Sequence, residues 1–365
     1  MKITKIVITG GPCAGKTTAL SWIQNEFLKK GYMVLFVAET ATQLISGGVA
    51  PWTCGSNLEY QRCQVALQKK KEEIFEQAAR SMNAEKVLIV CDRGVIDNKV
   101  YMTQKEFRMI LDELNTNEVE ERDRYDAVFH LVTAAKGAEE AYTLSNNIAR
   151  TESVEQAIAL DDKLIAGWTG HPHLRVIDNS TSFQRKLERL LEEITSFLGE
   201  PVPFEIERKY LIRYPDLKAL EALENCTKVE IEQAYLNSAP GQEIRIRKRG
   251  AEGNYIYYRT EKKRISAHKR VETEERLTRQ EYLKSMLDMD PKTHPIRKTR
   301  YCLMENNQYF EIDIYPEWEK QAIMEIELND VSTPIHFPEM IEVIREVTED
   351  YSYSNHQMAH AMPEE

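Results

Sequence analysis

The stretch Gly10-Gly11-Pro12-Cys13-Ala14-Gly15-Lys16-Thr17 decides the fold of the first half of the chain. It has the spacing G-x-x-x-x-G-K-[ST], follows an aliphatic stretch and precedes a helical pattern. The glycines permit a tight turn whose backbone N–H groups surround phosphate oxygens at the positive end of a helix. Lys16 would add a positive charge, and Thr17 a hydroxyl for Mg²⁺. We therefore predict nucleotide contacts from Gly10, Gly11, Pro12, Cys13, Ala14, Gly15, Lys16, Thr17 and Thr18.

Five short apolar stretches alternate with helical patterns over residues 1–199, which is typical of a parallel sheet with helices on both faces. The predicted strands are Ile3–Thr9, Met33–Ala38, Val87–Asp92, Ala127–Val132 and Leu174–Asp178. The last helix, from Ser182 to Phe197, ends at Gly199, and a short proline-rich connection follows. The sequence therefore predicts a nucleotide-binding domain over 1–199.

Length, charge and cysteine content argue against several other classes of protein. With 365 residues the chain exceeds one usual hydrophobic core, and its net charge of -11 argues against a nucleic-acid-binding module. The six cysteines form no CxxC pair, which argues against structural zinc and disulfides. The first residues have no signal-peptide core, and no apolar run is long enough to span a bilayer. We expect a cytoplasmic protein without a specific nucleic-acid partner.

Polar residues at the ends of these strands are candidates for chemistry. Asp92 lies at the carboxyl end of a strand, where open α/β sheets bind ligands, and is predicted to bind metal or activate an acceptor. A helix-capping role is the alternative. Glu39 holds the analogous place after an earlier strand, with steering of an acceptor and a helix N-terminal role both open. Arg150, ahead of the helical pattern Val154 to Gly167, is predicted to stabilise a transferred phosphoryl group, although a plain surface arginine fits equally. Arg93 and Asp97 are weaker candidates.

This half resembles the AAA_28-type P-loop ATPases, which are similar to nicotinamide riboside kinases and other small-molecule kinases. The resemblance covers residues 1–199 and rests on the motif at 10–17, Glu39, Asp92-Arg93-Gly94 and Arg150-Thr151-Glu152. It implies bound ATP or GTP with Mg²⁺ or Mn²⁺. No Asn-Lys-x-Asp signature is present, which disfavours a Ras-like GTPase and leaves other modes of base recognition open.

After Pro203 the sequence changes to alternating strands with two helical interruptions, near 215–224 and 278–288. The predicted strands are Phe204–Ile212, Lys228–Leu236, Glu243–Lys248, Tyr255–Thr260, Lys269–Arg276, Ile296–Met304, Tyr309–Ile314 and Ala322–Leu328. Charged residues recur at two-residue steps, which places them on one face of each strand. For any single strand, the charged residues are explained well by a face that is exposed to solvent. Eight antiparallel strands can close a barrel, and the set of charges predicts a polar tunnel for metal and phosphate.

Residues 204–355 resemble a CYTH domain, the α+β fold of the triphosphate tunnel metalloenzymes. The motifs are Glu205-x-Glu207-x-Lys209, Arg245-x-Arg247, Thr260-x-Lys262, Arg270-x-Glu272-x-Glu274, Lys298-x-Arg300, Asp313 and Glu325-x-Glu327. The resemblance implies triphosphate binding by Lys209, Arg245, Arg247, Lys262, Arg270, Lys298 and Arg300. The expected metal ligands are Glu205, Glu207, Glu325 and Glu327 here, with Thr17 and Asp92 in the first half. The catalytic candidates are Asp92, Arg150 and Lys262, and residues 356–365 are expected to form a tail.

Three functions follow from this arrangement. The first is a nucleotide-binding P-loop protein whose CYTH domain binds and hydrolyses a metal-bound triphosphate, inorganic or organic. The second is a GTP- and phospholipid-binding regulatory protein whose cationic face binds lipid head groups. The third is a small-molecule kinase with a CYTH sensor domain. Retention of the acids at 205, 207, 325 and 327 favours hydrolysis, since a lipid pocket needs bases alone. The sequence leaves the oligomeric state undecided.

Overall fold

In a computed structural model, the chain divides into two compact units, Met1–Leu198 and Gly199–Glu365. The structure describes residues 1–141, 153–199, 206–239, 242–266, 269–328 and 333–364, without the side chains of 141, 206, 263–266 and 269–273. No helix in these ranges is long and apolar enough to cross a membrane.

The first unit is built on a parallel sheet of five strands in the order β2-β3-β1-β4-β5. The strands are β1 (Lys2–Gly10), β2 (Met33–Val37), β3 (Lys86–Asp92), β4 (Ala127–Leu131) and β5 (Leu174–Ile177). Each predicted strand is confirmed within one residue of its ends. Their continuous aliphatic composition suits strands that are buried on both faces.

Seven α-helices of the first unit are described, on both faces of the sheet. They are α1 (Lys16–Lys29), α2 (Thr40–Ser46), α3 (Asn57–Ser81), α4 (Gln104–Glu113), α5 (Glu118–Asp123), α6 (Val154–Trp168) and α7 (Phe183–Phe197), with a 3-10 helix at Val95–Tyr101. On one face, Phe27 of α1 and Leu190 of α7 pack with Ile6 and Ile8. On the other face, α3 contacts β3 and α6 contacts β1. This arrangement confirms the predicted helices on both faces.

The second unit is built on an antiparallel sheet of nine strands in the order β10-β9-β8-β7-β11-β12-β13-β6-β14. The strands are β6 (Ile206–Arg213), β7 (Cys226–Leu236), β8 (Gln242–Ala251), β9 (Asn254–Ser266), β10 (Lys269–Leu277), β11 (Ile296–Glu305), β12 (Gln308–Ile314), β13 (Gln321–Leu328) and β14 (Val343–Glu346). The predicted strands are confirmed, and β14 adds one. With four residues and a register shift against β6, β14 is too short and irregular for an alternation signal. In the described part, β10 and β14 are the two edges.

Three short α-helices accompany this sheet in the described ranges: α8 (Leu217–Glu221), α9 (Arg279–Ser285) and α10 (Asn355–His360). The first two lie in the predicted helical interruptions. The expected tail after 355 is corrected, because Met358 and Ala359 are buried with Leu211 of β6. The indole Nε1 of Trp318 also donates to the carbonyl of Pro363 at 3.0 Å. The apolar residues of this segment that join the core are few and scattered, so the segment has no clear hydrophobic pattern in the sequence.

The two faces of the nine-strand sheet differ in polarity. One face carries an apolar cluster that includes Ile212, Leu303, Phe310 and Met324. The other carries charges that the register places side by side: Lys209 pairs with Glu325, Glu325 with Glu311, and Arg300 with Asp313. Asp313 is 0% exposed and Glu325 is 6% exposed. We call this second surface the charged face. Its central acids are buried, which disagrees with a fully solvated face.

Candidate nucleotide and polyphosphate sites

The loop between β1 and α1 needs its two flanking glycines. Gly10 has φ 146, and a Cβ there would lie 2.1 Å from the carbonyl oxygen of Leu131. Gly15 has φ 89 and precedes α1. No described side chain caps α1, so the N–H groups of its first turn remain available for an anion. Thr17 and Thr18 are exposed at this end of the helix.

The start of the loop is tied to the fold rather than open to a ligand. The N–H of Gly11 donates to Asp161 Oδ1 at 2.9 Å, and the carbonyl of Pro12 accepts from the Thr133 hydroxyl at 2.5 Å. The carbonyl of Ala14 accepts from Lys186 Nζ at 3.3 Å. The Gly11 N–H is thus already used and Pro12 has none, so backbone donors for a phosphate would come from Cys13 onward. The predicted nucleotide contacts of residues 10–18 stay predictions.

Asp161 is a structural anchor that sequence reasoning missed. It is fully buried on α6, and besides Gly11 it accepts from the Thr133 N–H at 3.1 Å and from Lys136 Nζ at 3.1 Å. His130 Nε2 lies 3.0 Å from its Oδ1. Burial would raise the pKa of Asp161, but His130 and Lys136 hold it well below its usual range. The sequence signal for this anchor is the acid itself, which interrupts the apolar residues that α6 turns toward the sheet.

Lys186 is the second missed anchor, on α7. Its ammonium donates to the Val132 carbonyl at 2.6 Å and to Asn179 Oδ1 at 2.7 Å, as well as to Ala14. Burial lowers the pKa of Lys186 to about 8. An anionic anchor at Gly11 and a cationic anchor at Ala14 thus fix the loop from two sides.

The structure brings Lys16, Glu39, Asp92 and Arg93 together at the carboxyl end of the sheet. Arg93, with φ 72, donates from Nε to Glu39 Oε1 at 2.5 Å. Burial would raise the pKa of Glu39, but Arg93 and Lys16 lower it to about 2. Burial lowers the pKa of Lys16, and it raises the pKa of Asp92. Asp92 Oδ1 is buried without a hydrogen-bond partner in the described ranges. These groups can hold a charged phosphate and take up a proton.

Two further candidates have different outcomes. Asp97 is structural, because its carboxylate accepts from the Thr9 hydroxyl at 2.5 Å, the Gly94 N–H at 2.7 Å and the Trp168 Nε1 at 3.0 Å. Arg150 lies outside the described residues, so its predicted role remains a prediction.

In the second unit, the charged face contains a network of buried ion pairs. Arg300 binds Asp313 through two hydrogen bonds of 2.6 Å, and it also binds Glu311 and, at 3.0 Å, Glu325. Lys298 Nζ lies 2.5 Å from Asp313 Oδ2. Several of the predicted phosphate-binding cations are therefore already paired with acids, which offsets the cost of burying them.

Lys209 extends the same network along β6. Its ammonium lies 2.6 Å from Glu325 Oε1 and 3.1 Å from Glu207 Oε1. The predicted metal ligand Glu325 thus binds two cations, Lys209 and Arg300.

Cations outnumber acids around Arg247 on β8. Burial and then the charge of Arg245 lower the pKa of Arg247 to about 10, with Arg300 and Arg249 acting in the same direction. Glu274 opposes the shift. Arg247 Nε is buried without a hydrogen-bond partner in the part that the structure describes. Buried like charges are costly unless an anion joins them, so this side of the charged face suits a polyanion.

Of the predicted metal ligands on the charged face, only some are placed where they could bind a cation. Burial and the charge of Glu325 raise the pKa of Glu207, which a bound cation would reverse. Glu327 pairs with Glu207 in register but is exposed, and Glu205 lies outside the described residues. Across the described ranges, no three His, Cys, Asp or Glu side chains group to hold a metal ion. Glu207 is therefore the described residue that best fits such an ion.

Two predicted cations on β9 and β10 have limited descriptions. Lys262 is half-buried and lies in register between Glu243 and Glu272. The backbone of Arg270 lies on β10, and its side chain lies outside the described part.

Residues 5–186 match a family model described as an AAA domain. This match, the loop and the sheet order identify the first unit as a nucleotide-binding P-loop domain. A search of curated proteins found no match.

Solved structures match about half of the chain. An inorganic triphosphatase has 24% identity over 45% of this chain and 99% of its own, with a TM-score of 0.32. Deoxyadenosine kinase from M. mycoides, with bound dATP, has 15% identity over 53% of this chain and 99% of its own, with a TM-score of 0.37. At these scores the similarities carry no inference about activity, which has to come from the side chains.

Proposed function

We propose that the protein is a two-site phosphate enzyme. The first unit binds a nucleoside triphosphate and transfers its terminal phosphoryl group. The second unit binds a triphosphate on the charged face and hydrolyses it. The observation that carries the proposal is the cationic group around Arg247, which shares the charged face with the acids around Glu207.

In the first unit, the phosphates would lie at the start of α1, between the backbone N–H groups of residues 13–18 and Lys16. Asp161 and Lys186 hold the loop in place before the ligand arrives, so little conformational entropy is lost on binding. Thr17 and Asp92 offer oxygens to a divalent cation. ATP and GTP are the two nucleotides to test.

In the second unit, Arg245 and Arg247 would bind the oxygens of the polyphosphate and stabilise charge on the leaving phosphate. Lys209 and Arg300 would exchange part of their contact with Glu325 for contact with the ligand. A divalent cation such as Mg²⁺ or Mn²⁺, when bound at Glu207, would neutralise charge on the phosphate oxygens. It would also make a water molecule bound to it easier to deprotonate. Glu205, Lys262 and Arg270 complete the proposed set.

Phosphate release from inorganic triphosphate, ATP and GTP, with Mg²⁺ or Mn²⁺, tests the proposal. Arg247→Ala should lower triphosphate hydrolysis by about tenfold or more, since one charge-assisted contact is lost. Arg297→Ala is the matched control, because its side chain is 72% exposed on β11 of the same sheet. Absence of turnover by the wild-type protein on all three substrates would contradict the proposal.

A phospholipid head group is a competing ligand for the same cations. Glu207→Gln distinguishes the two, because hydrolysis needs this acid and head-group binding does not. Loss of hydrolysis in Glu207→Gln supports the enzyme. Binding to phosphoinositide vesicles without any hydrolysis would favour a lipid-binding protein.

The acceptor of the phosphoryl group in the first unit would be a small molecule, as in a small-molecule kinase. This transfer is favoured by Asp92 beside Lys16, because its Oδ1 is buried without a hydrogen-bond partner in the described ranges.

A further inference from the structure

Tyr235, on β7, carries a buried hydroxyl group whose hydrogen has no acceptor among the described residues. The side chain is 3% exposed. Its oxygen accepts one long hydrogen bond, of 3.5 Å, from Gln233 Nε2, and the described part of the chain shows no second bond at this hydroxyl. Nearly all buried polar groups in folded proteins have a partner, and an unpaired donor costs stability. The hydroxyl is therefore available to donate to a ligand.

Strand register places Tyr235 among the cations of the charged face. On the adjacent strand β8, Arg245 is the direct partner of Tyr235, and Arg247 is the partner of Gln233. Residues that lie directly opposite each other in an antiparallel pair project from the same face of the sheet. The phenol therefore shares its face with the two arginines that are proposed to bind the triphosphate.

The charges around the phenol are mainly positive. Burial raises the pKa of Tyr235 to about 12, so the hydroxyl keeps its hydrogen at neutral pH. Three cations, Arg245, Arg247 and Lys209, oppose the shift of this pKa, and one acid, Glu243, adds to it. A ligand that accepts the hydrogen in such surroundings gains from negative charge, so an anionic oxygen fits the hydroxyl better than a neutral one does.

The ring of Tyr235 is held in place by the side chains around it. It belongs to an apolar cluster with Leu211 of β6 and Ile323 of β13. His356 of α10 contacts it edge-on, with the two ring centroids 4.8 Å apart. A phenol whose ring is already fixed loses little conformational freedom when its hydroxyl binds a ligand, so the hydroxyl is preorganised.

We propose that the hydroxyl of Tyr235 is a further binding group of the second site and donates to an oxygen of the triphosphate, beside Arg245 and Lys209. This rests on the proposed function of the second unit. A hydrogen bond from the hydroxyl to an anionic oxygen is charge-assisted and therefore strong. It adds affinity without adding a positive charge to a place where buried cations already repel one another. A further lysine or arginine would make the same contact at a greater cost to the folded state.

Calorimetric binding of inorganic triphosphate in the presence of Mg²⁺ tests this proposal. The Lys16→Ala variant is the parent protein, so that the measured heat reports the second site. Addition of Tyr235→Phe removes the hydroxyl and keeps the ring, so the Kd for triphosphate should rise by about tenfold. The midpoint of urea unfolding without ligand should be unchanged, because the hydroxyl makes only one long hydrogen bond within the described protein.

Tyr210→Phe in the same parent is the matched control. Tyr210 is 4% exposed and packs in the apolar cluster on the other face of the sheet, so loss of its hydroxyl should leave the Kd unchanged. An unchanged Kd in Tyr235→Phe, or an equal rise in Tyr210→Phe, overturns the inference and leaves the second site standing. A raised Kd together with a lowered urea midpoint also overturns it, because the hydroxyl would then serve the fold. Failure of the parent protein to bind triphosphate overturns the proposed function of the second unit and this inference with it.

Discussion

The two proposed phosphate sites are built from different parts of the polypeptide. The loop at residues 10–18 relies on backbone N–H groups and the end of a helix, and Asp161 and Lys186 hold it from behind. The charged face relies on side chains of both signs, which bind one another. A backbone site depends on a few anchors, whereas a side-chain network shares its charge among several partners. Removal of one anchor should therefore cost the first unit much stability, whereas removal of one acid from the network should cost the second unit little.

Removal of the Asp161 carboxylate should give the largest effect. Asp161→Ala leaves Gly11, Thr133 and Lys136 without their acceptor in a buried place, so we expect a loss of about 3–5 kcal/mol in the free energy of unfolding. Urea unfolding measures it. Asp162→Ala is the matched control, because Asp162 is 63% exposed and should change stability by about 0.5 kcal/mol or less. Equal effects of the two variants would remove the distinction between an anchor and a surface acid.

Loss of one acid from the charged face should cost less. Glu311→Gln leaves Arg300 its contacts with Asp313 and Glu325, so the free energy of unfolding should fall by only about 1 kcal/mol. Urea unfolding again gives the value. A loss as large as that of Asp161→Ala would show that the network does not share its charge.

The pH dependence at Glu39 tests the ion pair with Arg93 at the first site. Arg93 and Lys16 lower the pKa of Glu39 from 4.5 to about 2 in the folded protein, so its contribution is present above the unfolded value and is lost as the pH falls. The stability difference between the wild-type protein and Glu39→Gln should therefore be constant between pH 6 and pH 7 and shrink as the pH falls below about 4.5. Unfolding series at each pH measure it. A difference that stays constant down to pH 3 would contradict the ion pair with Arg93.

The sequence predicted what has a local signal. The motif at 10–17 specifies a backbone conformation, and the strands of both units have clear apolar or alternating patterns. The two anchors of the loop, Asp161 and Lys186, had no local sequence signal for this role, because they reach the loop from α6 and α7 through tertiary packing.

The charged face lies between these cases. Two-residue charge steps predicted that Lys298, Arg300 and Glu325 share a face, and the structure confirms this arrangement. Their mutual pairing depends on strand register, which no single strand specifies. The proposed roles of Arg150 and Glu205 stay predictions, since both lie outside the described residues.

Binding of inorganic triphosphate tests the central claim of two separate phosphate sites most directly. Calorimetric titration should show that Lys16→Ala removes binding at the first site and leaves the second, while Arg247→Ala does the reverse. The double variant should bind at neither, and the heats of the two single variants should add to that of the wild-type protein. Loss of all binding in one single variant, or retained binding in the double variant, would contradict the claim.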